Sequence, residues 1–233
     1  MNSSDPFSLA LSLIVNRDPG LYSIIQLSLQ VSLTAVVLAS LLALPLGALI
    51  ALFRFPGRGL VITALNALMG LPPVVAGLIV YLSLSRAGPL GQFGLLFTPT
   101  AMVIAQTLLV LPIVAALTRQ AIEDLWDEYR EQLRSLGSGR LRAVPTLLWD
   151  ARITLTTVVL AGFGRASAEV GAVLIVGGNI EGVTRVMTTA IALETSRGDL
   201  PLALALGLVL LALVALINGT AYLLSGIGRK HMQ

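Results

Sequence analysis

The chain has 233 residues, of which 56% are hydrophobic and 12% are charged, and its mean hydropathy is +0.90, a composition that indicates an integral membrane protein. It has no cysteine and a single histidine, His231, which excludes disulfides, thiolate metal ligands and histidine clusters. The formal net charge of +3 comes from arginines scattered through short loops, not from one basic face. We therefore expect no metal, no cofactor and no nucleic-acid partner.

The apolar stretches predict an all-α polytopic fold with five transmembrane helices, since about 20 residues cross a bilayer. A shorter segment at residues 7–15 is predicted to lie at the membrane interface. Residues 1–233 are expected to form a single transmembrane domain. The predicted spans are residues 24–52, 60–84, 99–117, 153–176 and 201–224.

The distribution of cations predicts the orientation. Arginines follow the first span, and the tail carries Arg229 and Lys230, while the connection at residues 119–152 holds six arginines. The alternate loops hold only Arg86 and the nearly balanced charges of residues 181–199. Because cytoplasmic loops are enriched in cations, we expect the N-terminus outside and the C-terminus inside.

Residues 118–152 form the only sizeable soluble connection, and they contain an amphipathic pattern. Apolar residues recur every three or four positions, which predicts a short helix that ends at Gly137-Ser138-Gly139. A second short helix is predicted to follow and to end near Trp149. The pair either packs against its own membrane bundle or binds a soluble partner. The apolar residues of the first helix are Ile122, Leu125, Trp126, Tyr129, Leu133 and Leu136.

No nucleotide-binding loop is present. The single lysine, Lys230, does not stand in a G-x-x-x-x-G-K-[ST] context. If ATP drives transport, a separate subunit must hydrolyse it.

Two motifs resemble a known family. The run EQLRSLG, residues 131–137, has the spacing E-A-A-x-x-x-G of the loop that permease subunits of binding-protein-dependent ABC importers insert into their ATPase. Gln132 and Leu133 replace the alanines, and Trp149-Asp150 stands where the family has Leu-Pro. The later runs LLWDARITL and GFGRASAEVGAVLIVGGNIEGVTRVMTTAIALETSRGDL resemble tungstate permease subunits, a branch close to the molybdate and sulfate permeases.

The resemblance implies a type I ABC importer permease without enzymatic activity, in the cytoplasmic membrane of a bacterium or archaeon. It implies a homodimer, two ATP-binding cassette ATPase subunits and an extracytoplasmic oxyanion-binding protein. Tungstate is the expected substrate, with molybdate or sulfate as the alternative. It assigns ATPase coupling to residues 118–152, and in particular to Glu128, Glu131, Leu136, Gly137 and Arg140.

Two opposite charges lie within the fourth predicted span. Arg165 is some 12 residues, or about 18 Å, into that helix, and Glu169 is four residues further on. On one helix face they either form an internal ion pair or line the translocation path near Gly171. We favour a structural and gating role, because a fixed carboxylate repels an oxyanion.

Residues 177–199 are too short to cross the membrane and are predicted to form an extracytoplasmic or re-entrant segment. Asn179, Thr188 and Thr189 offer amide and hydroxyl donors that suit a tetrahedral oxyanion held weakly in a path. The alternative is that the threonine hydroxyls bond to their own backbone.

Two other classes compete with an ATP-driven permease. In an ion-coupled secondary transporter or channel, Arg165 and Glu169 would form a proton or ion relay. A membrane-embedded enzyme would need a catalytic constellation, and Glu169 is the only acid deep in a predicted span.

Overall fold

The computed structural model describes residues 6–16 and 19–230 of the chain. Regular structure in these described residues consists of helices, which confirms the all-α prediction. A 3-10 turn covers Gly91–Phe93. The α-helices are α1 Pro6–Val15, α2 Pro19–Leu52, α3 Arg58–Met69, α4 Pro73–Leu84, α5 Pro99–Ser135, α6 Arg140–Asp150, α7 Arg152–Ser167, α8 Gly171–Gly177, α9 Met187–Arg197 and α10 Leu200–Lys230.

Three of these helices are long and apolar enough to cross a membrane: α2, α5 and the part of α10 at Leu200–Thr220. Two further pairs of helices, α3 with α4 and α6 with α7, qualify only when taken together, and they are bent by 104° and 75° at the break, as in a broken span or a re-entrant loop. Counting each pair once gives up to five spans. The five-span count and the orientation stay predictions.

The second predicted span, residues 60–84, is not one helix. Helix α3 ends at Met69, where the Gly70 and Leu71 amides donate to Ala67 and Leu68 carbonyls at 3.1 Å each. Pro72 then adopts an extended conformation before α4. Two consecutive prolines remove two amide donors, and Pro73 disfavours a helical conformation at Pro72, so the helix breaks here.

The fourth predicted span, residues 153–176, is also broken. Helix α7 ends at Ser167, and α8 begins at Gly171. The carboxylate of Glu169 accepts a hydrogen bond from the Ala172 amide at 2.9 Å, as a residue that caps a new helix does. The Glu169 carboxylate therefore stabilises the N-terminus of a new helix, and α7 does not continue past Ser167.

The amphipathic segment is not a separate helix. It is the end of α5, whose 37 residues span about 55 Å at 1.5 Å per residue, well beyond a hydrocarbon core of about 30 Å. No glycine or proline lies between Leu117 and Ser135, so nothing in the sequence ends the helix between the predicted span and the amphipathic segment.

The chain divides into two compact units. The first comprises Met1–Ala35, Pro72–Gln106 and Ala166–Ile217, within the described residues. One of its cores packs the start of α2, α9 and α10 together through Leu21, Met187, Ala190, Ala205 and Leu206. The Met187 amide donates to the Ser28 hydroxyl at 2.7 Å and so fastens the start of α9 to α2.

The second unit comprises Val36–Leu71, Thr107–Arg165 and Asn218–Gln233, within the described residues. Helices α2 and α5 approach closely in it, because a Cβ on Gly47 would lie 2.6 Å from the Ala115 carbonyl oxygen. The cytoplasmic end that we predict for this unit is the coupling element, residues 118–152.

Candidate functional site

A glycine turn joins the two helices of the coupling element. The Gly137 amide donates to the Arg134 carbonyl and the Ser138 amide to the Leu133 carbonyl, both at 2.9 Å. Gly137 has a φ of 71°, in the left-handed region that glycine adopts without steric cost. The predicted stop at residues 137–139 and the second helix are therefore confirmed.

Beneath this turn, α6 packs against α5 and the end of α2. Buried side chains of the core include Ile122, Trp126, Ala143 and Leu147, with Ala48, Ala51, Leu52, Ala151 and Leu155. Leu125, Tyr129 and Leu133 are partly buried against the same core. The apolar stripe up to Leu133 thus packs against the bundle, one of the two alternatives that the sequence leaves open.

Beyond that stripe, large apolar side chains face outward. Leu136, Leu141 and Trp149 are 76%, 68% and 72% exposed. We call these three residues the docking rim. A cavity of about 230 Å³ lies beside them, with Tyr129, Leu133, Leu136, Leu147 and Trp149 among its lining residues.

An ionic cluster ties α3 to the end of α2 and to α5. Glu123 forms ion pairs with both Arg58 and Arg119. The Arg58 guanidinium also donates to the Ile50 carbonyl at 2.8 Å and to the Ala51 carbonyl at 3.4 Å. A cation at the C-terminal end of α2 satisfies carbonyls that have no partner within the helix.

The remaining predicted coupling residues surround the turn. Glu128 and Glu131 are exposed on α5, and Arg140 begins α6 and is half-buried. The Glu128 carboxylate, followed by Asp150, raises the pKa of the Tyr129 phenol above its ordinary value. The roles of these residues in coupling stay predictions.

Glu169 lies at the other predicted site, in the first unit. Its side chain is 2% exposed, and besides capping α8 its backbone carbonyl accepts a hydrogen bond from the Thr188 hydroxyl at 2.7 Å. Gly171 packs against α4, where a Cβ would lie 3.0 Å from Val74 Cγ2. Glu169, Gly171 and Thr188 thus converge on the start of α8.

Arg165 lies in the last turn of α7 and is half-buried. Since α7 ends at Ser167, the expectation that Arg165 and Glu169 share one helix face is wrong. The physical reason is the break before α8 described above. The pairing of the two charges stays a prediction.

The threonine hydroxyls are engaged by the backbone. Thr189 Oγ1 donates to the Val186 carbonyl at 3.1 Å and lies 3.2 Å from the Val186 amide, from which it accepts. Thr184 donates to the Gly177 carbonyl at 2.6 Å. The Thr189 hydroxyl thus bonds to the backbone of its own helix start, as the alternative predicts, whereas the Thr188 hydroxyl donates to the distant Glu169 carbonyl. The place of both residues in a translocation path stays a prediction.

Asn179 occupies the turn after α8 with a φ of 51°, a left-handed conformation that asparagine tolerates. Its side-chain oxygen is buried and has no hydrogen-bond partner among the described residues. Its place in a translocation path stays a prediction.

Two contacts were not predicted. The buried Gln106 side chain donates to the Ala166 carbonyl at 3.1 Å and thereby satisfies the end of α7. Gly77 of α4 faces α8 so closely that a Cβ would lie 2.7 Å from Ala172 Cα. A small residue within an apolar helix is the sequence signal for the second contact.

Comparison with known proteins assigns the family. The model of the family described as "Binding-protein-dependent transport system inner membrane component" matches residues 43–226. The "Tungstate uptake system permease protein TupB" of Peptoclostridium acidaminophilum is 44% identical over 94% of this chain and 96% of its own length. A "Probable anion ABC transporter permease protein" of Haloferax volcanii is 41% identical over 85% of this chain and 88% of its own.

A more distant relative is the "Molybdenum transport system permease protein ModB" of Escherichia coli, which is 32% identical over 74% of this chain and 80% of its own length. Among the described residues, no group of three or more His, Cys, Asp or Glu side chains could hold a metal ion.

The apolar helices, the motifs and the family match lead to one assignment. The chain belongs to the inner membrane components of binding-protein-dependent transport systems, as a multi-pass permease subunit of the cytoplasmic membrane.

Proposed function

We propose that this chain is the translocating subunit of an ATP-driven importer that carries tungstate into the cytoplasm. The assignment of tungstate as the substrate rests on the 44% identity of this chain, over 94% of its length, to a protein named for tungstate uptake. A second protein with that name, from Campylobacter jejuni, is 39% identical. Proteins named for molybdenum and sulfate transport are 28–32% identical, so these anions are the alternative substrates.

The coupling element is the surface that we propose for the ATPase. Three large apolar side chains, the docking rim, are exposed around a turn that a buried core holds in place. Exposed apolar side chains on a rigid support are typical of binding sites for another protein. Glu128, Glu131, Gly137 and Arg140 lie on the same two helices and their turn, and we assign them to this interface. ATP hydrolysis then occurs on the partner, because the chain has no nucleotide-binding loop.

We propose that the functional assembly contains two copies of this chain, two ATPase subunits and one extracytoplasmic binding protein. The family description supports the binding protein, since it names transport that depends on one. Five spans with the N-terminus outside and the C-terminus inside place the arginine-rich connections, among them the coupling element, on the cytoplasmic side.

We assign a gating role to the start of α8. Glu169, Gly171 and Thr188 meet there. Movement of α9 would change the hydrogen bond between Thr188 and Glu169, and movement of α4 would change the packing against Gly171. Arg165 and Asn179 lie just before and just after this short region of the chain. Thr189 holds the first turn of α9 through its contacts with Val186 and so supports the contact of Thr188.

Uptake by proteoliposomes tests the proposed function. The chain is reconstituted with its partner ATPase and binding protein, and uptake of tungstate is measured with and without ATP. We expect uptake to require ATP and binding protein, and to be inhibited least by sulfate among competing oxyanions. The control omits the ATPase.

Two results would contradict the proposal. Tungstate uptake that continues without ATPase under an ion gradient would favour a secondary transporter or channel. Uptake of molybdate or sulfate with no tungstate transport would leave the permease class intact and change the substrate.

A further inference from the structure

We infer that the second unit contains a site for a tetrahedral oxyanion, separate from the proposed translocation path. The site is a cavity of about 500 Å³, where the end of α2, the start of α3, the last turns of α5 and the start of α6 meet. We call it the arginine cavity. It does not depend on which anion is transported. Its basic lining residues are Arg54, Arg58, Arg130, Arg134 and Arg140.

Two of these arginines have partners. Arg58 is bound to Glu123 and to the carbonyls of Ile50 and Ala51. Arg130 lies 3.8 Å from Asp127, a distance longer than a hydrogen bond. The ion pairs of the cavity are thus Arg58 of α3 with Glu123 of α5, and Arg130 with Asp127 within α5.

The other three arginines have no such partner. The side chains of Arg54, Arg134 and Arg140 form no hydrogen bond or ion pair with any residue in the described part of the chain. Each guanidinium carries five N–H donors in a planar arrangement that matches the oxygen atoms of phosphate-like anions. Three sets of unused donors therefore line one cavity.

The carboxylates of the cavity do not balance these charges. Glu123, Asp124 and Asp127 also line it, so the formal charge of the lining is +2. Glu123 is moreover shared with Arg119, which lies outside the lining. Like charges held together repel, and an anion between them removes that repulsion and forms charge-assisted hydrogen bonds.

A small tetrahedral oxyanion with one or two negative charges fits this charge and volume. Two sources share that chemistry: a free anion in the cytoplasm, such as phosphate or tungstate, and the phosphate group of an anionic lipid. Arg54 lies two residues after the apolar helix α2, which ends at Leu52, and Arg58 begins α3, so a lipid head group is within reach in the proposed topology.

Titration of the full chain in phosphatidylcholine nanodiscs tests the site. Sodium phosphate and sodium tungstate are added at constant ionic strength, and binding is followed by calorimetry. In a separate arm, phosphatidylglycerol is included and the thermal unfolding midpoint is measured. We expect saturable binding of a free anion, or a raised midpoint with the anionic lipid, and either response weakens as salt is added.

Three single variants give the test its specificity. Arg54→Gln and Arg134→Gln each remove one guanidinium from the cavity, and we expect each to weaken binding by about tenfold. Arg142→Gln is the matched control: Arg142 is exposed, lies outside the cavity and carries the same charge. We expect it to bind as the unmodified chain does.

The arms distinguish the source of the anion. Binding of phosphate or tungstate without an effect of lipid identifies a free anion, and a lipid effect alone identifies a head group; each supports the site. No saturable response to any of these probes overturns it, as does an equal loss in Arg142→Gln. None of these results bears on tungstate uptake, which is measured separately.

Discussion

At the scale of single residues, Glu169 shows how a buried charge is accommodated within a short segment. The residue is 2% exposed, and its carboxylate accepts a hydrogen bond from the Ala172 amide at the positive end of α8. The sequence predicts only a charged residue in an apolar helix. The break in the helix supplies the hydrogen-bond donor that a continuous helix would have used for its own backbone.

Gly137 provides a prediction at this scale. Replacement by alanine places a side chain at a φ of 71°, which costs roughly 1–2 kcal/mol. We expect a distorted turn between α5 and α6, and a several-fold decrease in the ATPase that co-purifies with the chain. Quantified pull-down from membranes measures this effect.

The control is Gly59→Ala. Gly59 lies in the same unit, does not have a positive φ and has open space around its Cβ position. We expect a change within about 0.5 kcal/mol and normal binding of the ATPase. Equal ATPase binding by both variants would argue against the proposed interface.

At the scale of elements, the breaks in predicted spans determine which helices meet. Helix α8 has only seven residues, yet it packs against α4 through Gly77 and Gly171. Its shortness follows from Glu169 on one side and from Gly178, with a φ of 71°, on the other. A short helix between two breaks can shift without displacing a whole span.

Gly77→Ala tests this packing. The new Cβ would lie 2.7 Å from Ala172 Cα and 3.2 Å from the Ala172 carbonyl oxygen, so backbone has to move. We expect a loss of roughly 1–3 kcal/mol, as for other overpacked positions, and lower uptake. Thermal unfolding in detergent and proteoliposome uptake measure the two effects.

Gly207→Ala serves as its control. Gly207 is also helical, but its Cβ position has no neighbour within 4 Å. Because alanine favours a helix over glycine by roughly 0.5–1 kcal/mol, we expect unchanged or slightly raised stability. A larger loss in Gly207→Ala than in Gly77→Ala would mean that close approach of α4 and α8 does not limit stability.

At the scale of the whole molecule, orientation in the membrane decides which surface meets the ATPase. The chain has no cysteine, so single cysteines can be introduced without removing any. We expect Leu136→Cys to react with a membrane-impermeant maleimide only in inverted vesicles that lack the ATPase. Leu90→Cys, in the connection between α4 and α5, should react from outside in spheroplasts.

Both positions are exposed, with Leu136 at 76% and Leu90 at 44%, so burial does not explain a missing reaction. The two cysteines act as controls for each other within one experiment. Labelling of both from the same side would contradict the proposed five spans between the termini.

Local sequence was sufficient for several features of the site. The turn at Gly137, the helix after it and the apolar stripe through Trp126 follow from spacing and from glycine. The docking rim was predicted only at Leu136. Leu141 and Trp149 were not assigned to it, because exposure depends on which face of α6 meets α5.

Hydropathy and charge distribution by themselves determined that this chain is an all-helical membrane protein, because apolar length and helix periodicity are local properties. Only the tertiary structure decided where α7 stops, which threonine hydroxyls donate hydrogen bonds to backbone carbonyls and which arginines share a cavity. Those outcomes depend on contacts between distant residues, such as Thr188 with Glu169 and Arg58 with Glu123. The free energy of such contacts comes from partners that no local pattern specifies.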